Sequence, residues 1–485
     1  MKSYDAFFID NNWVTPSSNA TLDVINPFSE EVIATVPEAQ NADIDTAVEA
    51  AREAFDHGPW PRMSADERAN CMNQLSDILK AHVPDIATAV TQEMGSPMNF
   101  STGGQAFAPI MVLDYYIEMA REFPFEEPRA GLLNPVLVRR EPVGVVASIT
   151  PWNVPLFTIM LKLAPALAAG CTVVIKPAPE TPINAFMLAE YIAQTDIPPG
   201  VINVLPAERA VSEYLVSHPG IDKVSFTGST LAGSKIAAIC GEQLKRCSLE
   251  LGGKSASIVL DDADLNTVVP GLLSASLLNN GQACAAQTRI LASRKRYDDT
   301  VEALASAVGQ MKVGDPLDEA TGIGPLFAER QRQRVENYID IGRKEGAVVA
   351  TGGGRPQHLD KGWFVEPTVF AGVDNAMRIA QEEIFGPVVV VIPYDDEADA
   401  LRIANDSDYG LSGSVWTNDV EHGIDIARQV RTGTYTINGF TIDFKSPFGG
   451  YKHSGLGREN GEQAIEHYTP TKTIYTNLTP VDRHI

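Results

Sequence analysis

The chain has 485 residues, 44% of them hydrophobic and 21% charged, with a formal net charge of −24 at pH 7; that length divides into two or three domains rather than one core. Such acidity excludes recognition of nucleic acid through its phosphates and disfavours an anionic membrane surface, leaving most carboxylates as a solvated face. Five cysteines without a Cys-x-x-Cys pair and eight scattered histidines give neither a disulfide framework nor metal-ligand spacing, and point to a reducing, cytoplasmic setting.

Met1 to Trp13 mixes charged and apolar residues and has no apolar core of signal-peptide type. Asp5 to Glu38 reads as short strands with turns at Asn11-Asn12 and Asn26-Pro27. Helical periodicity then runs over Ile44–Phe55, Ala65–Val83, Pro84–Met94 and Gln105–Arg121. Phe123–Arg140 carries Pro124, Pro128 and Pro135 and then alternates, which predicts an extended arm or hairpin. From Val143, strands and helices alternate: strands at Val143–Ile149, Thr172–Lys176, Val201–Leu205, Lys223–Thr227 and Arg246–Glu250, helices at Leu156–Ala169, Ile183–Gln194, Ala207–Ser217 and Leu231–Gly241. Leu163–Ile175 is the most apolar stretch, but Pro165 and Gly170 interrupt it and a bilayer needs about 20 residues. It reads as a buried helix followed by a buried strand. Five strands separated by helices predict a parallel sheet covered on both faces. A second α/β region, Ser255 to Gly439, has strand candidates Ala256–Leu260, Thr288–Ala292, Val388–Ile392, Gly413–Trp416 and Thr434–Ile437, with an apolar helix at Leu265–Asn280. The tail Tyr468–Thr476 alternates again and is a partner for the arm.

Chemically useful groups fall just beyond the strands' carboxyl ends, the ligand-binding edge of open α/β sheets: Asn153, Lys176, Gly228-Ser229 and Glu250. Gly228-Ser229-Thr230-Leu231-Ala232-Gly233 matches neither G-x-G-x-x-G nor the P-loop, because Ser234-Lys235 follows. It is a tight turn or, equally, a helix start able to receive a pyrophosphate. Lys176 is a solvated strand cap unless Pro177 holds it toward that crevice. Cys284 lies in the polar loop Gly281-Gln282-Ala283-Cys284, a context no other cysteine shares, whereas an isolated cysteine is ordinarily buried and inert. The preceding helix would place its negative end near the thiol and raise its pKa, so thiolate formation needs help from Glu250 through water or from a cationic ligand. Glu250 precedes Gly252-Gly253, which permit close backbone approach. A thiol nucleophile, a carboxylate base and an amide donor are the parts needed to form and hydrolyse a thioester.

Along most of its length the chain resembles the aldehyde dehydrogenase superfamily, through Pro151-Trp152-Asn153, Phe226-Thr227-Gly228-Ser229, Leu249-Glu250-Leu251-Gly252-Gly253-Lys254, Gly281-Gln282-Ala283-Cys284 and Gln381-Glu382-Glu383-Ile384-Phe385-Gly386-Pro387. The resemblance implies an α/β fold in three parts. These are a doubly wound, parallel-sheet dinucleotide-binding domain (1–121 and 142–252), an α/β catalytic domain (253–452) and a small β oligomerisation arm (122–141 and 466–485). It implies NAD(P)+-dependent oxidation of an aldehyde, with Cys284 as nucleophile, Glu250 as general base and Asn153 as oxyanion donor. Trp152, Lys176, Pro179, Gly228, Ser229, Glu383 and Phe385 are placed at the cofactor. Ser446–Lys452 and Ser454–Glu459 read as structural loops at the substrate mouth and subunit contact. Val154, Phe157, Thr158, Leu161, Ala283 and Ala285 line the substrate, and Thr441, Asp443 and Phe444 its mouth. Small alanines beside phenylalanines favour a medium or bulky apolar or aromatic aldehyde, and the absence of arginine among these positions disfavours semialdehyde acids. NAD-preferring relatives often carry a glutamate where this chain has Pro179, so NAD+ is expected to be preferred only modestly, with NADP+ usable. A homotetramer built from two dimers is the expected assembly, with no nucleic-acid or membrane partner. The competing readings are a coenzyme-A-acylating relative, which needs no water-activating Glu250, and a non-enzymatic structural protein, which needs none of the three groups.

Overall fold

The computed structural model describes residues 1–132 and 134–475. Its first sheet is built around five parallel strands in the spatial order Ile202–Val204, Thr172–Lys176, Val145–Ile149, Lys223–Thr227, Arg246–Glu250. Val145–Ile149 and Thr172–Lys176 are buried at every position, as strands covered on both faces must be. The chain leaves Val145–Ile149 first to one side and later to the other, creating a topological switch point between it and Lys223–Thr227. Helix Pro155–Ala169 follows the central strand; proline opens it and Gly170, at φ 91°, closes it in the left-handed conformation. Helix Thr230–Glu242 starts at Ser229, whose hydroxyl accepts the Ala232 N–H at 3.3 Å.

Shorter antiparallel strands extend this sheet. Phe7–Ile9 pairs with Ile202–Val204 and with Asn12–Val14. The hairpin turn sits at Asp10-Asn11, both at positive φ (54° and 57°), one residue before the predicted Asn11-Asn12; aspartate and asparagine tolerate that geometry best among non-glycine residues. On the other edge Gly455–Leu456 pairs with Arg246–Glu250, which draws the Ser454–Glu459 loop onto the strand that ends in Glu250.

The second sheet has the order Val348–Thr351, Thr368–Ala371, Val388–Tyr394, Arg289–Ser293, Ala256–Val259, Gly413–Trp416, Thr436–Ile437, all parallel except the first pair. Val348–Thr351 and Thr368–Ala371 are absent from the sequence prediction. Apolar clusters lie on the faces of both sheets. The arm is a third, antiparallel sheet: Val136–Arg140 lies between Glu126–Arg129 and Thr471–Tyr475, the pairing expected of the tail. Thr476 and the rest of the proposed arm to Ile485 lie outside the described residues.

Two helices differ from expectation. Gln105–Arg121 is not one α-helix: Ser101–Phe107 is a π-helical turn, and the α-helix begins at Ala108 with Pro109 in its first turn, where a missing N–H does least harm. Helix Leu265–Asn280 stops at Ser276; Asn279 and Asn280 take left-handed φ of 53° and 61° and turn the chain before Gly281. No helix end therefore abuts Cys284. Among the described residues no helix is long and apolar enough to cross a membrane, and no group of three or more His, Cys, Asp and Glu is arranged to hold a metal.

Candidate active site

Where the two sheets meet, a cavity of about 440 Å³ opens beside Cys284. The first sheet contributes Trp152, Asn153, Gly228, Ser229 and Glu250 from its strand ends, together with Val154, Phe157, Thr158 and Leu161 from helix Pro155–Ala169. The second region supplies Ala283, Cys284 and Ala285 from the nucleophile loop, Glu383 and Phe385 from the loop before Val388, and Phe444. Thr441 and Asp443 do not line it. The segment alternates, so Phe440, Ile442 and Phe444 face the cavity while Thr441 and Asp443 are exposed. Asp443 instead accepts the Lys445 N–H at 2.8 Å and closes its own turn.

Close backbone approach holds the loops together. A side chain on Gly253 would meet the Cys284 carbonyl oxygen at 2.4 Å, and one on Gly252 the Glu383 carboxylate at 2.7 Å. Gly281, at φ 71°, would meet Gly386 at 2.2 Å. Asn153 is 4% exposed. Its carbonyl accepts Gln105 Nε2 and Asn279 Nδ2, both at 2.9 Å, and its Nδ2 donates to the Gln282 carbonyl at 2.9 Å. One amide hydrogen is thereby fixed and the second remains to serve the cavity.

Burial pushes the Cys284 thiol up to about 12, and the carboxylates of Glu383 and Glu250 push the same way. The sequence-based expectation of a raised thiol pKa thus has the right direction but the wrong cause, since no helix terminus is involved. Glu250 is 3% exposed and, among the described residues, neither carboxylate oxygen has a hydrogen-bond partner. Burial first, then Glu459, raise its pKa well above the ordinary range, against the pull of Lys162 and Arg458. Glu459 and Lys162 form a buried ion pair at 2.5 Å, and Lys162 also donates to Thr227 Oγ1 at 2.6 Å. Neither residue stands out in the sequence: Lys162 sits inside an apolar helix and Glu459 in a loop read as structural. Their signal was a lysine at a position whose neighbours are all core, which demands an anionic partner.

Lys176 and Pro179 line a second cavity, of about 360 Å³, which shares Ser229 with the first. Burial lowers Lys176 to about 8, partly offset by Glu180 and Glu208. A model of the aldehyde dehydrogenase family matches residues 13–474. The chain belongs to the aldehyde dehydrogenase family. It is 46% identical to a geranial dehydrogenase of Castellaniella defragrans over 469 residues, covering 96% of this chain and 98% of that protein. An aldehyde dehydrogenase of Mycobacterium tuberculosis, solved in complex with NAD+, superposes with a TM-score of 0.97 at 48% identity, covering 99% of both chains. A cysteine-to-alanine variant of a Pseudomonas syringae aldehyde dehydrogenase, in complex with NAD+ and octanal, gives a TM-score of 0.93 at 39% identity, over 97% of this chain and 96% of that one.

Within this aldehyde dehydrogenase the second cavity is lined by charges of both signs. Arg209 and Lys235 join Lys176 on its wall, together with Glu180, Glu208 and Glu213. Glu180 is also ion-paired with Arg330. Elsewhere, Phe385 adopts φ 63°, rare for a bulky residue and a frequent mark of functional strain. Trp152 stacks on Phe327 with centroids 3.5 Å apart and meets Phe385 edge-on at 5.4 Å.

Proposed function

We propose that this protein oxidises medium or bulky apolar aldehydes to carboxylic acids with NAD+. The observation that carries the reading is that the Cys284 thiol, the Asn153 amide and the Glu250 carboxyl open onto one largely apolar cavity, which meets the Lys176 cavity at Ser229. An oxidised nicotinamide dinucleotide fits this pair of cavities. The Ala232 N–H of helix Thr230–Glu242 is taken by the Ser229 hydroxyl, which leaves the N–H groups of Thr230 and Leu231 for a diphosphate at the Ser229 junction. A side chain on Gly228 would meet the Phe226 ring at 2.5 Å, so the turn stays bare. Trp152, Lys176, Pro179, Gly228, Ser229, Glu383 and Phe385 are the residues proposed to hold the dinucleotide, with Glu383 at the nicotinamide ribose.

Cys284 Sγ gives its proton to water and bonds to the aldehyde carbon, and the carbonyl oxygen becomes an oxyanion held by the Asn153 amide and the Cys284 N–H. The bound coenzyme supplies the hydride acceptor. Once the carbon-bound hydrogen has left as hydride, the oxyanion collapses to a thioester on Cys284. Glu250 takes a proton from water, the hydroxide equivalent adds to the thioester, and the thiolate of Cys284 leaves as the acid forms. Lys162 favours the ionised form of Glu250 and Glu459 opposes it.

The apolar character of the substrate rests on Phe157 and Phe444, whose rings lie 5.7 Å apart, with Leu161, Ala283 and Ala285. Arg334 is the cation among the lining residues, and its Nε and Nη2 donate to the carbonyls of Ile384 and Glu383, which fixes it at the Glu383 loop rather than beside Phe157 and Phe444. A steady-state survey of aliphatic, aromatic, amino and carboxylated aldehydes tests the reading. The highest kcat/KM is expected for apolar chains of six or more carbons and for aryl aldehydes, and a preference for carboxylated aldehydes would refute it.

The same proposal includes the domain limits 1–121 with 142–252, 253–452 and 122–141 with 466–485, a reducing cytoplasmic setting, and a homotetramer. The arm supports the assembly: among the described residues its outer strands, Glu126–Arg129 and Thr471–Tyr475, each have one edge without a partner strand, and Tyr475 is 78% exposed, a liability that association removes. Light scattering at micromolar concentration should give four chains, or two if the dimers separate; a monomer would refute this part.

A further inference from the structure

The π-helical turn Ser101–Phe107 is a local irregularity of the kind found at functional sites. The segment around it places Phe100, Gly104 and Ala108 on the cavity that holds Cys284. Phe100 lies across the bare backbone of Gly104: a methyl group there would stand 2.7 Å from ring atom Cε2 and 2.8 Å from Cζ. Gly103, its neighbour, has open space at the same position, so the crowding is particular to Gly104.

The turn is not free to slide away from such a methyl. Ser101 Oγ accepts Thr91 Oγ1 at 2.7 Å, and Gln105 Nε2 donates to the Asn153 carbonyl at 2.9 Å. The turn is thus anchored on the residue proposed to hold the oxyanion. Phe100 itself lines the cavity, so a methyl that displaces its ring reshapes the cavity wall.

We propose that the Phe100–Gly104 stack sets the width of the substrate channel. Bare backbone at Gly104 keeps the ring flat against the helix. Ala108, four residues on, continues the low wall, and together they leave room for a branched or ring-bearing apolar chain behind the aldehyde carbon. This rests on the aldehyde-oxidation reading of Cys284 and names the substrate shape that the site selects.

The test compares a branched, α,β-unsaturated ten-carbon aldehyde with acetaldehyde in the wild type, Gly104→Ala, Phe100→Ala and the double variant, with thermal melting of each. One methyl group in an apolar pocket is worth about 10- to 200-fold in discrimination. Gly104→Ala should therefore lower the ratio of kcat/KM (branched over acetaldehyde) by about 10-fold or more, chiefly through KM for the branched substrate. Phe100→Ala should raise that ratio. The double variant should match Phe100→Ala, because the ring that the new methyl would meet is gone. An unchanged ratio in Gly104→Ala, or a loss shared by both aldehydes and not rescued in the double variant, overturns the proposal. Should Gly104→Ala melt early, Phe100→Ala and the double variant still decide it: equal ratios above wild type support it, and ratios at or below wild type overturn it. A wild type that oxidises neither aldehyde overturns the aldehyde-oxidation reading instead.

Discussion

Glu250→Gln separates the two halves of the proposed reaction. The carboxyl is buried and both its oxygens lack partners, so the near-isosteric amide breaks no ion pair and leaves the fold intact. General-base assistance is worth about 10²- to 10⁴-fold. If acylation and hydrolysis run at similar rates in the wild type, about half of the enzyme carries the acyl group at steady state. A 100-fold loss of hydrolysis alone raises that share to about 99%. Mixing Glu250→Gln with coenzyme and a six-carbon aldehyde should therefore give one equivalent of reduced coenzyme in a burst, then a slow phase. Intact-protein mass spectrometry should find the acyl group on Cys284. Wild-type turnover should also climb with pH, because burial and Glu459 shift Glu250 toward its protonated form and the thiol is pushed up to about 12; both groups work only when deprotonated. Unchanged turnover in Glu250→Gln would remove this residue from the mechanism. Slow turnover with neither burst nor adduct would show that it deprotonates the thiol instead.

Cys284→Ala should abolish oxidation while retaining coenzyme binding by fluorescence; alanine at Cys171, Cys240 or Cys247 should not, and loss of activity there would relocate the nucleophile. Glu459→Gln removes the second-largest influence raising Glu250, so its alkaline activity limb should begin at lower pH than in the wild type. Lys162→Met should move that limb to higher pH and, by leaving Glu459 buried and unpaired, cost about 3–5 kcal/mol of stability in denaturant titrations; shifts of the same sign in both variants would contradict the electrostatic account. NAD+ should be preferred over NADP+ by a modest margin in kcat/KM. Arg209→Glu should lower NADP+ use more than NAD+ use, because Arg209 lines the Lys176 cavity and supplies positive charge for a 2′-phosphate there; equal effects on both coenzymes would place the 2′-phosphate elsewhere.

What the sequence revealed divides along physical lines. The parallel strands Thr172–Lys176, Lys223–Thr227 and Arg246–Glu250 have their predicted limits, because short, largely buried runs between helices and turns leave little freedom of register. Groups that such strands carry to one edge, Asn153, Ser229 and Glu250, converge for the same reason. Geometry that depends on φ at single residues was less legible. Left-handed Asn279 and Asn280 end a helix whose apolar periodicity continues through Leu278, and the π-helical turn hides inside an otherwise helical pattern. Electrostatic partners distant in sequence were least legible of all. Lys162 and Glu459 are 297 positions apart, and the antiparallel pairing of Gly455–Leu456 with Arg246–Glu250, together with the bridge between Glu459 and Phe448, brings the second to the first. That pairing has a chemical consequence for Glu250. Alone in apolar surroundings, its carboxyl would be driven toward the neutral form by burial, and water activation would stall near neutral pH. A second buried carboxylate makes this worse, yet it is what makes burying the lysine tolerable, and the lysine pulls Glu250 back toward ionisation. The strand that delivers Glu459 therefore sets the pH range in which Glu250 can work, and no reading of the Glu250 motif by itself contains that information.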